Sequence, residues 1–241
     1  MPKLISINPS NYKAIDEIEM SSFREVTDKV RLARSASKEW AGLGLQARIS
    51  ALRDVVAKFE ARKEAHVLLE SYEMGMPINE ARADYDGLLT FANWYLDNAE
   101  KYLAPETTFE NDSEINRVYR EPLGVAAVIL PWNYPFLLFV WDVFPSLIAG
   151  NTVVMKHSEE TPICGKAIED IMSRCLPKGV FNEVYGDGKV GEWLIKQDID
   201  LLVFTGSTRT GKRLYRKVSQ RSNKIVRPVM EMGGVGSGFG V

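Results

Sequence analysis

Cysteine and histidine are scarce in this chain of 241 residues, which has two of each: Cys164 and Cys175, His66 and His157. The cysteines fall in one helix-like stretch, eleven residues apart, so a disulfide between them would break that helix. A disulfide scaffold is thereby excluded, and the usage points to a reducing compartment. His66 has no second His or Cys near it and reads as a packing or solvent-facing side chain; His157 alone carries no argument. No metal-ligand spacing, Ser/His/Asp set or pair of catalytic carboxylates stands out. Charge of either sign is not in excess: the net charge is -2, and no basic cluster is interleaved with aromatics. Nucleic-acid binding is set aside on that ground. Long apolar runs are also missing. The longest, near Phe136 to Val143, is broken by Asp142 and Pro145 and is too short to span a membrane. Met1 to Ser6 lacks the apolar core of a signal peptide. The expectation is a soluble, cytoplasmic protein with no membrane partner.

What is present is ordinary globular composition, 45% apolar and 26% charged residues, in a length that suits one large domain or two small ones. Residues 1–20 read as irregular, with a turn at Asn8-Pro9-Ser10. A helix is expected over Ser22–Trp40, capped by Ser22 or Ser21, with Val26, Val30, Ala33 and Trp40 on its apolar face. After the Gly42–Gly44 break a second helix runs from Gln46 to Tyr72, and a third, after Gly75-Met76-Pro77, from Ile78 to Leu103. Glu114–Arg120 alternates as an exposed strand, one arm of a hairpin.

From Leu123 the pattern becomes strand, helix, strand, helix. The strand-like runs are Leu123–Leu130, Thr152–Lys156, Val180–Tyr185, Leu201–Thr205 and Lys224–Met232. The helix-like runs are Phe136–Ala149, Pro162–Cys175, Lys189–Lys196 and Arg209–Gln220, with Thr161 a candidate cap and Pro162 suited to a first turn. Short apolar strands alternating with helices predict an α/β fold with a parallel, doubly covered sheet. Pro228 removes a donor from the last strand, which is expected to lie near a sheet edge or to be bulged there. The tail 235–241 is glycine-rich and expected to be flexible.

Four stretches at strand ends carry candidate chemistry. Leu130-Pro131-Trp132-Asn133-Tyr134-Pro135 holds one amide side chain between two prolines, a rigid donor suited to a developing oxyanion; a proline-rich turn with a capping Asn is the competing reading. Gly186 to Gly191 fits G-x-G-x-x-G, but no acid follows at the next strand end to hold a ribose hydroxyl, so a plain turn competes strongly. Phe204-Thr205-Gly206-Ser207 leads from a strand into a helix whose free N–H groups suit a pyrophosphate, against an ordinary Ser cap. Lys156 and Glu159 could grip two ribose hydroxyls, against a charged solvated loop. Glu231 ends the last strand, where burial would make it a general base and exposure a surface carboxylate.

In order, Glu121-Pro122-Leu123-Gly124-Val125, Pro131 to Pro135, Ala149-Gly150-Asn151-Thr152-Val153-Val154-Met155-Lys156, Glu159 with Thr161-Pro162, Phe204 to Ser207 and Glu231-Met232-Gly233-Gly234 resemble the aldehyde dehydrogenase superfamily. The resemblance spans nearly the whole chain. It implies a Rossmann-like sheet covered by helices, with an N-terminal helical layer and a projecting β-hairpin. It further implies a dinucleotide-binding domain over 1–234, its helical layer about 1–104 and its Rossmann-like part about 122–234, with the oligomerisation strand at 111–121. By resemblance Asn133 is the side-chain donor of the oxyanion hole and Glu231 the base that activates water. Leu130, Pro131, Trp132, Lys156, Ser158, Glu159, Gly188, Phe204, Thr205, Gly206, Ser207 and Gly233 form the cofactor site, with Lys156 and Glu159 on the adenosine ribose and Ser207 on the pyrophosphate. NAD is favoured because Glu159 would repel a 2′-phosphate; NADP is the alternative. Tyr134, Leu138 and Trp141 line a substrate tunnel, apolar and suited to a neutral aldehyde.

The family reaction is covalent: a cysteine thiolate attacks the aldehyde, hydride leaves to the nicotinamide, and water activated by Glu cleaves the thioester. The resemblance puts that cysteine a few tens of residues beyond Glu231, past Val241, whereas Cys164 and Cys175 read as structural. The expectation is therefore a cofactor-binding part, inactive alone, that homo-oligomerises in full-length form or pairs with a chain carrying the catalytic domain. A stand-alone NAD-binding or interaction module without catalysis is the alternative.

Overall fold

The computed structural model describes residues 2–221 and 224–233; the tail 235–241 lies outside them. The chain opens with β1 (Lys3–Ile7) and β2 (Ala14–Glu19), an antiparallel hairpin. This corrects the irregular segment expected for residues 1–20. Both strands are exposed over much of their length, and β2 carries three acids, so apolar alternation is faint. Lys3 pairs with Glu17 across the hairpin, and Asn8-Pro9-Ser10 lies at its turn.

Helix α1 (Phe23–Gly42) starts on Ser22, whose hydroxyl accepts from the Glu25 N–H, and buries the four expected apolar residues. The long second helix is in fact two, α2 (Leu45–Ala61) and α3 (Lys63–Met74). Arg62 leaves helical geometry at φ -108 and ψ 4. Its N–H bonds back to the Phe59 carbonyl, a tightened last turn that lets α3 change direction. No Gly or Pro marks the break, because packing sets it: the redirected α3 buries His66 and Val67 against the core. Helix α4 (Ile78–Leu103) has the expected bounds. Next come β3 (Glu106–Glu110) and β4 (Ile115–Val118), an antiparallel hairpin exposed throughout. The Asn111 side chain closes its turn by accepting from Ser113 and Glu114 N–H, both at 2.9 Å.

The sheet is parallel, with β5 (Val125–Ile129), β6 (Thr152–Lys156), β7 (Phe181–Val184), β8 (Leu201–Gly206) and β9 (Arg227–Met232) in the order β7-β6-β5-β8-β9. Between them run α5 (Pro135–Ile148), α6 (Pro162–Cys175), α7 (Gly188–Leu194) and α8 (Thr208–Ser219). Alternate residues of each strand feed two cores. Ala126, Val128, Val153, Met155 and Val203 pack under α5 and α6, with α2, α3 and α4 as an outer layer. Val125, Ala127, Val154, Leu202 and Phe204 pack against α1, α7 and α8. The N-terminal helices thus divide between the two faces. β9, with Pro228, is an edge strand as expected. No helix among the described residues is long and apolar enough to cross a membrane.

Candidate functional site

The strand order fixes where a ligand can enter. The chain runs from β5 to β6 and β7 on one side, then returns to β8 and β9 on the other. Connections after β5 and β8 therefore diverge to opposite faces, and their strand ends open a crevice between them. Leu130 to Tyr134 leave the end of β5, and Gly206 and Ser207 leave the end of β8.

The Asn133 loop is held from its far side. Pro135 is the first residue of α5, and Tyr134 gives that helix no side-chain cap. On α4 the buried Asp84 carboxylate lies near the Leu137 backbone without a hydrogen bond of ordinary geometry to it. Burial pushes the neighbouring Glu70 carboxyl up, so it keeps a proton beside Asp84. Phe136 stacks on His66 at 5.1 Å and packs edge-on to Tyr85 at 5.3 Å. His66 is therefore a packing residue, its Nδ1 2.7 Å from the Tyr85 hydroxyl. With its downstream side locked, the loop presents Trp132, Asn133 and Tyr134 to solvent.

Ser207 caps α8, its hydroxyl accepting from the Thr210 N–H at 3.3 Å. The N–H groups of the preceding turn residues have no helical partner, which gives this end its anion-binding character. Gly211 lets α8 approach the sheet: a Cβ there would lie 2.5 Å from Met232 Sδ and 3.1 Å from the Phe204 ring. Gly233 N–H donates to the Gly206 carbonyl at 3.2 Å, and the Thr208 hydroxyl donates to the Gly233 carbonyl at 2.9 Å, tying the end of β9 to this turn.

An open cavity of about 1370 Å³ occupies the crevice. It brings together Pro131, Trp132, Asn133, Tyr134, Leu138 and Trp141 from the β5 side with Thr205, Gly206, Ser207, Glu231 and Gly233 from β8 and β9. Leu130, Lys156, Ser158, Glu159, Gly188 and Phe204 are not in its lining. Leu130 and Phe204 are buried beneath it, and Phe204 supports the underside of Gly206 and Gly211. Glu231 is exposed rather than buried, a register partner of Thr205. A second carboxylate of the cavity is the half-buried Asp142, which in the sequence is only a break in an apolar run. It accepts from the Thr205 hydroxyl at 2.7 Å. Burial raises it to about 6; the Thr205 bond opposes that shift and the Glu231 charge adds to it. A lone acid inside an apolar helical run was the available signal.

Lys156 and Glu159 meet at 3.0 Å across the end of β6. The Lys156 ammonium also donates to the His157 carbonyl at 3.0 Å, so one of its three protons is left for a ligand. A Cβ at Gly191 would lie 3.4 Å from Lys156 Cδ, which places the Gly188 end of α7 beside this pair. Ser158 is buried and accepts from the Glu160 N–H. Thr161 does not cap α6 as expected: its hydroxyl has no partner. Glu73 on α3 does so, accepting from Ile163 and Cys164 N–H at 2.8 and 2.7 Å. This pins the loop that carries Ser158 and Glu159.

Neither cysteine lines the cavity, and burial pushes both thiols up, Cys164 further because it is fully buried, with the adjoining Glu73 adding to the shift. Both stay protonated, which is wrong for a nucleophile. Among the described residues no group of His, Cys, Asp and Glu could hold a metal ion.

The sequence profile of the aldehyde dehydrogenase family matches residues 2–237. The chloroplastic betaine aldehyde dehydrogenase of Beta vulgaris is 36% identical over 241 residues, which cover 95% of this chain and 47% of that protein. The 1-pyrroline-5-carboxylate dehydrogenase of Staphylococcus saprophyticus is 32% identical over 236 residues, covering 95% and 46%. Of solved structures, PnpE in complex with nicotinamide adenine dinucleotide superposes with a TM-score of 0.90 at 31% identity, covering 97% of this chain and 48% of that one. A betaine aldehyde dehydrogenase variant from Staphylococcus aureus in complex with NAD+ has a TM-score of 0.90 at 28% identity, with the same coverage. The chain spans about half the length of the curated relatives it matches.

Proposed function

The chain belongs to the aldehyde dehydrogenase family, and on that premise we propose that it is the cofactor-binding part of an enzyme that oxidises an aldehyde to a carboxylic acid with NAD. The observation that carries the reading is the shared cavity: Asn133, Glu231 and the capped start of α8 at Ser207 face one crevice at the divergence of β5 and β8. The residues fit a dinucleotide. The α8 start offers N–H groups and the side chain of Ser207 to a pyrophosphate, beside Gly206 and Gly233. Lys156 retains a donor for one ribose hydroxyl, and Glu159 can accept from another, with Gly188 alongside. Glu159 disfavours a 2′-phosphate, so NAD is preferred and NADP is the alternative. Leu130, Pro131, Trp132, Ser158, Phe204 and Thr205 frame the ligand.

A bound NAD would supply the acceptor for the hydride that leaves the carbon being oxidised. Asn133 donates its side-chain N–H to the aldehyde oxygen as negative charge grows there. Glu231 is exposed in this chain, so its assignment as the base that takes a proton from the hydrolytic water rests on its place in the cavity and the family match, not on burial. The nucleophile is a cysteine outside these 241 residues, because neither Cys164 nor Cys175 reaches the cavity. It is supplied by a further part of the same protein or by a complementary chain. The β3–β4 hairpin serves homo-oligomerisation, and unpaired cysteines fit the reducing cytoplasm.

The test is turnover. Purified chain given NAD and an aldehyde forms no NADH, and activity appears only with a cysteine-bearing catalytic part. NADH production by the chain alone, abolished by Asn133→Ala, would overturn the assignment.

A further inference from the structure

Asp142 has no role in the chemistry above, yet it lines the same cavity as Asn133 and Glu231. It stands on α5 next to Trp141 and is bound by the Thr205 hydroxyl at 2.7 Å. Thr205 and Glu231 are partners in register on β8 and β9. One wall therefore carries Asp142, Thr205 and Glu231 in a row. The same lining holds aromatic rings, with Trp132 50%, Tyr134 45% and Trp141 42% exposed. No lysine, arginine or histidine is among the described residues that line the cavity.

These groups give the cavity a sign. Ring faces attract cations through their quadrupole, and two carboxylates without a counter-charge do the same through their field. A substrate carboxylate would lose its hydration here and gain no partner. The tunnel expected from Tyr134, Leu138 and Trp141 suits an uncharged aldehyde; Asp142 adds a charge to its wall.

We propose that Asp142 determines specificity, admitting aldehydes that carry a positively charged amino or ammonium group and rejecting those that carry a carboxylate. The proposal rests on the aldehyde dehydrogenase reading for the reacting group, but not for the charge preference. Burial makes the ionised form of Asp142 costly, and Glu231 adds to that cost. A bound cation relieves both.

Three probes with a similar branched head and different charge test this in the 241-residue chain at pH 8: tetramethylammonium, 2,2-dimethylpropan-1-ol and 2,2-dimethylpropanoate. Binding is read from the tryptophan indole NMR signals, with NAD titrated into a parallel sample. The ammonium should bind about threefold to tenfold tighter than the alcohol, the range of a partly screened charge pair, and the carboxylate more weakly than the alcohol. Asp142→Asn, which keeps an acceptor for Thr205, should bring ammonium and alcohol to within about twofold and leave NAD affinity unchanged. Asp142→Ser should do the same if the Asn variant folds poorly. The proposal is overturned if the carboxylate binds as well as the ammonium, if no probe binds, or if the order survives both substitutions. Absence of NAD binding would count against the family role instead, since the charge order is measured without cofactor.

Discussion

Lys156 Nζ lies 3.0 Å from Glu159 Oε2, a pair made by one residue buried in β6 and one exposed in the loop beyond it. The buried ammonium is anchored twice, by Glu159 and by the His157 carbonyl, so its direction is set before a ligand arrives. Glu159 is the group that sorts cofactors. Glu159→Gln removes the repulsion toward a 2′-phosphate and releases Lys156 to pair with it. The ratio of NADP to NAD affinity should rise by about threefold or more, measured by titration of each cofactor. An unchanged ratio would remove Glu159 from the ribose site.

Asp142 trades stability for charge. Its folded pKa is raised from 3.8 to about 6 by burial. Between those values the folded state holds the proton more tightly than the unfolded chain, so stability falls as pH rises through the interval and stays lower above it. Asn mimics the protonated form. Asp142→Asn should therefore stabilise the chain by about 1–2 kcal/mol at pH 8 and by nothing at pH 3.5, followed by urea melts at each pH. Equal stability at both pH values would mean that Asp142 is better solvated than its position implies.

Gly211 sets the closeness of α8 to the sheet. Gly211→Ala pushes a methyl group against Met232 and Phe204 and should cost about 1–3 kcal/mol. Because the start of α8 moves with it, NAD affinity should fall too. A variant that melts and binds as the parent would show that α8 has room the structure does not suggest.

The β3–β4 hairpin exposes Phe109, Ile115 and Val118, with Tyr119 just beyond, an apolar surface without a cover in the described chain. Self-association through it is expected in sedimentation, and Ile115→Lys with Tyr119→Lys should reduce it. A concentration-independent monomer would contradict an oligomerisation role.

Elements with a clear apolar period and flanking breakers were legible in the sequence. Thr152–Lys156, Pro162–Cys175 and Ile78–Leu103 coincide with the observed β6, α6 and α4 because apolar period and flanking Pro or Gly agree there. The β1–β2 hairpin was not, since its acids hide the alternation. Nor was the break at Arg62, which no breaker residue signals. The motif residues of the cavity were found, because each lies at a strand end. The groups that hold them were not: Asp142 acts through Thr205, 63 positions away, and Glu73 caps α6 from 90 positions away. Such partners share a fold, not a window of sequence.

The account rests most directly on NAD binding by this chain, which calorimetry measures without any catalytic step. One NAD per chain should bind, and Ser207→Asp should weaken it by about tenfold or more through repulsion with the pyrophosphate, while the helix remains capped because Asp caps as well as Ser. No heat of binding from a folded chain, or equal affinity in Ser207→Asp, would contradict the account.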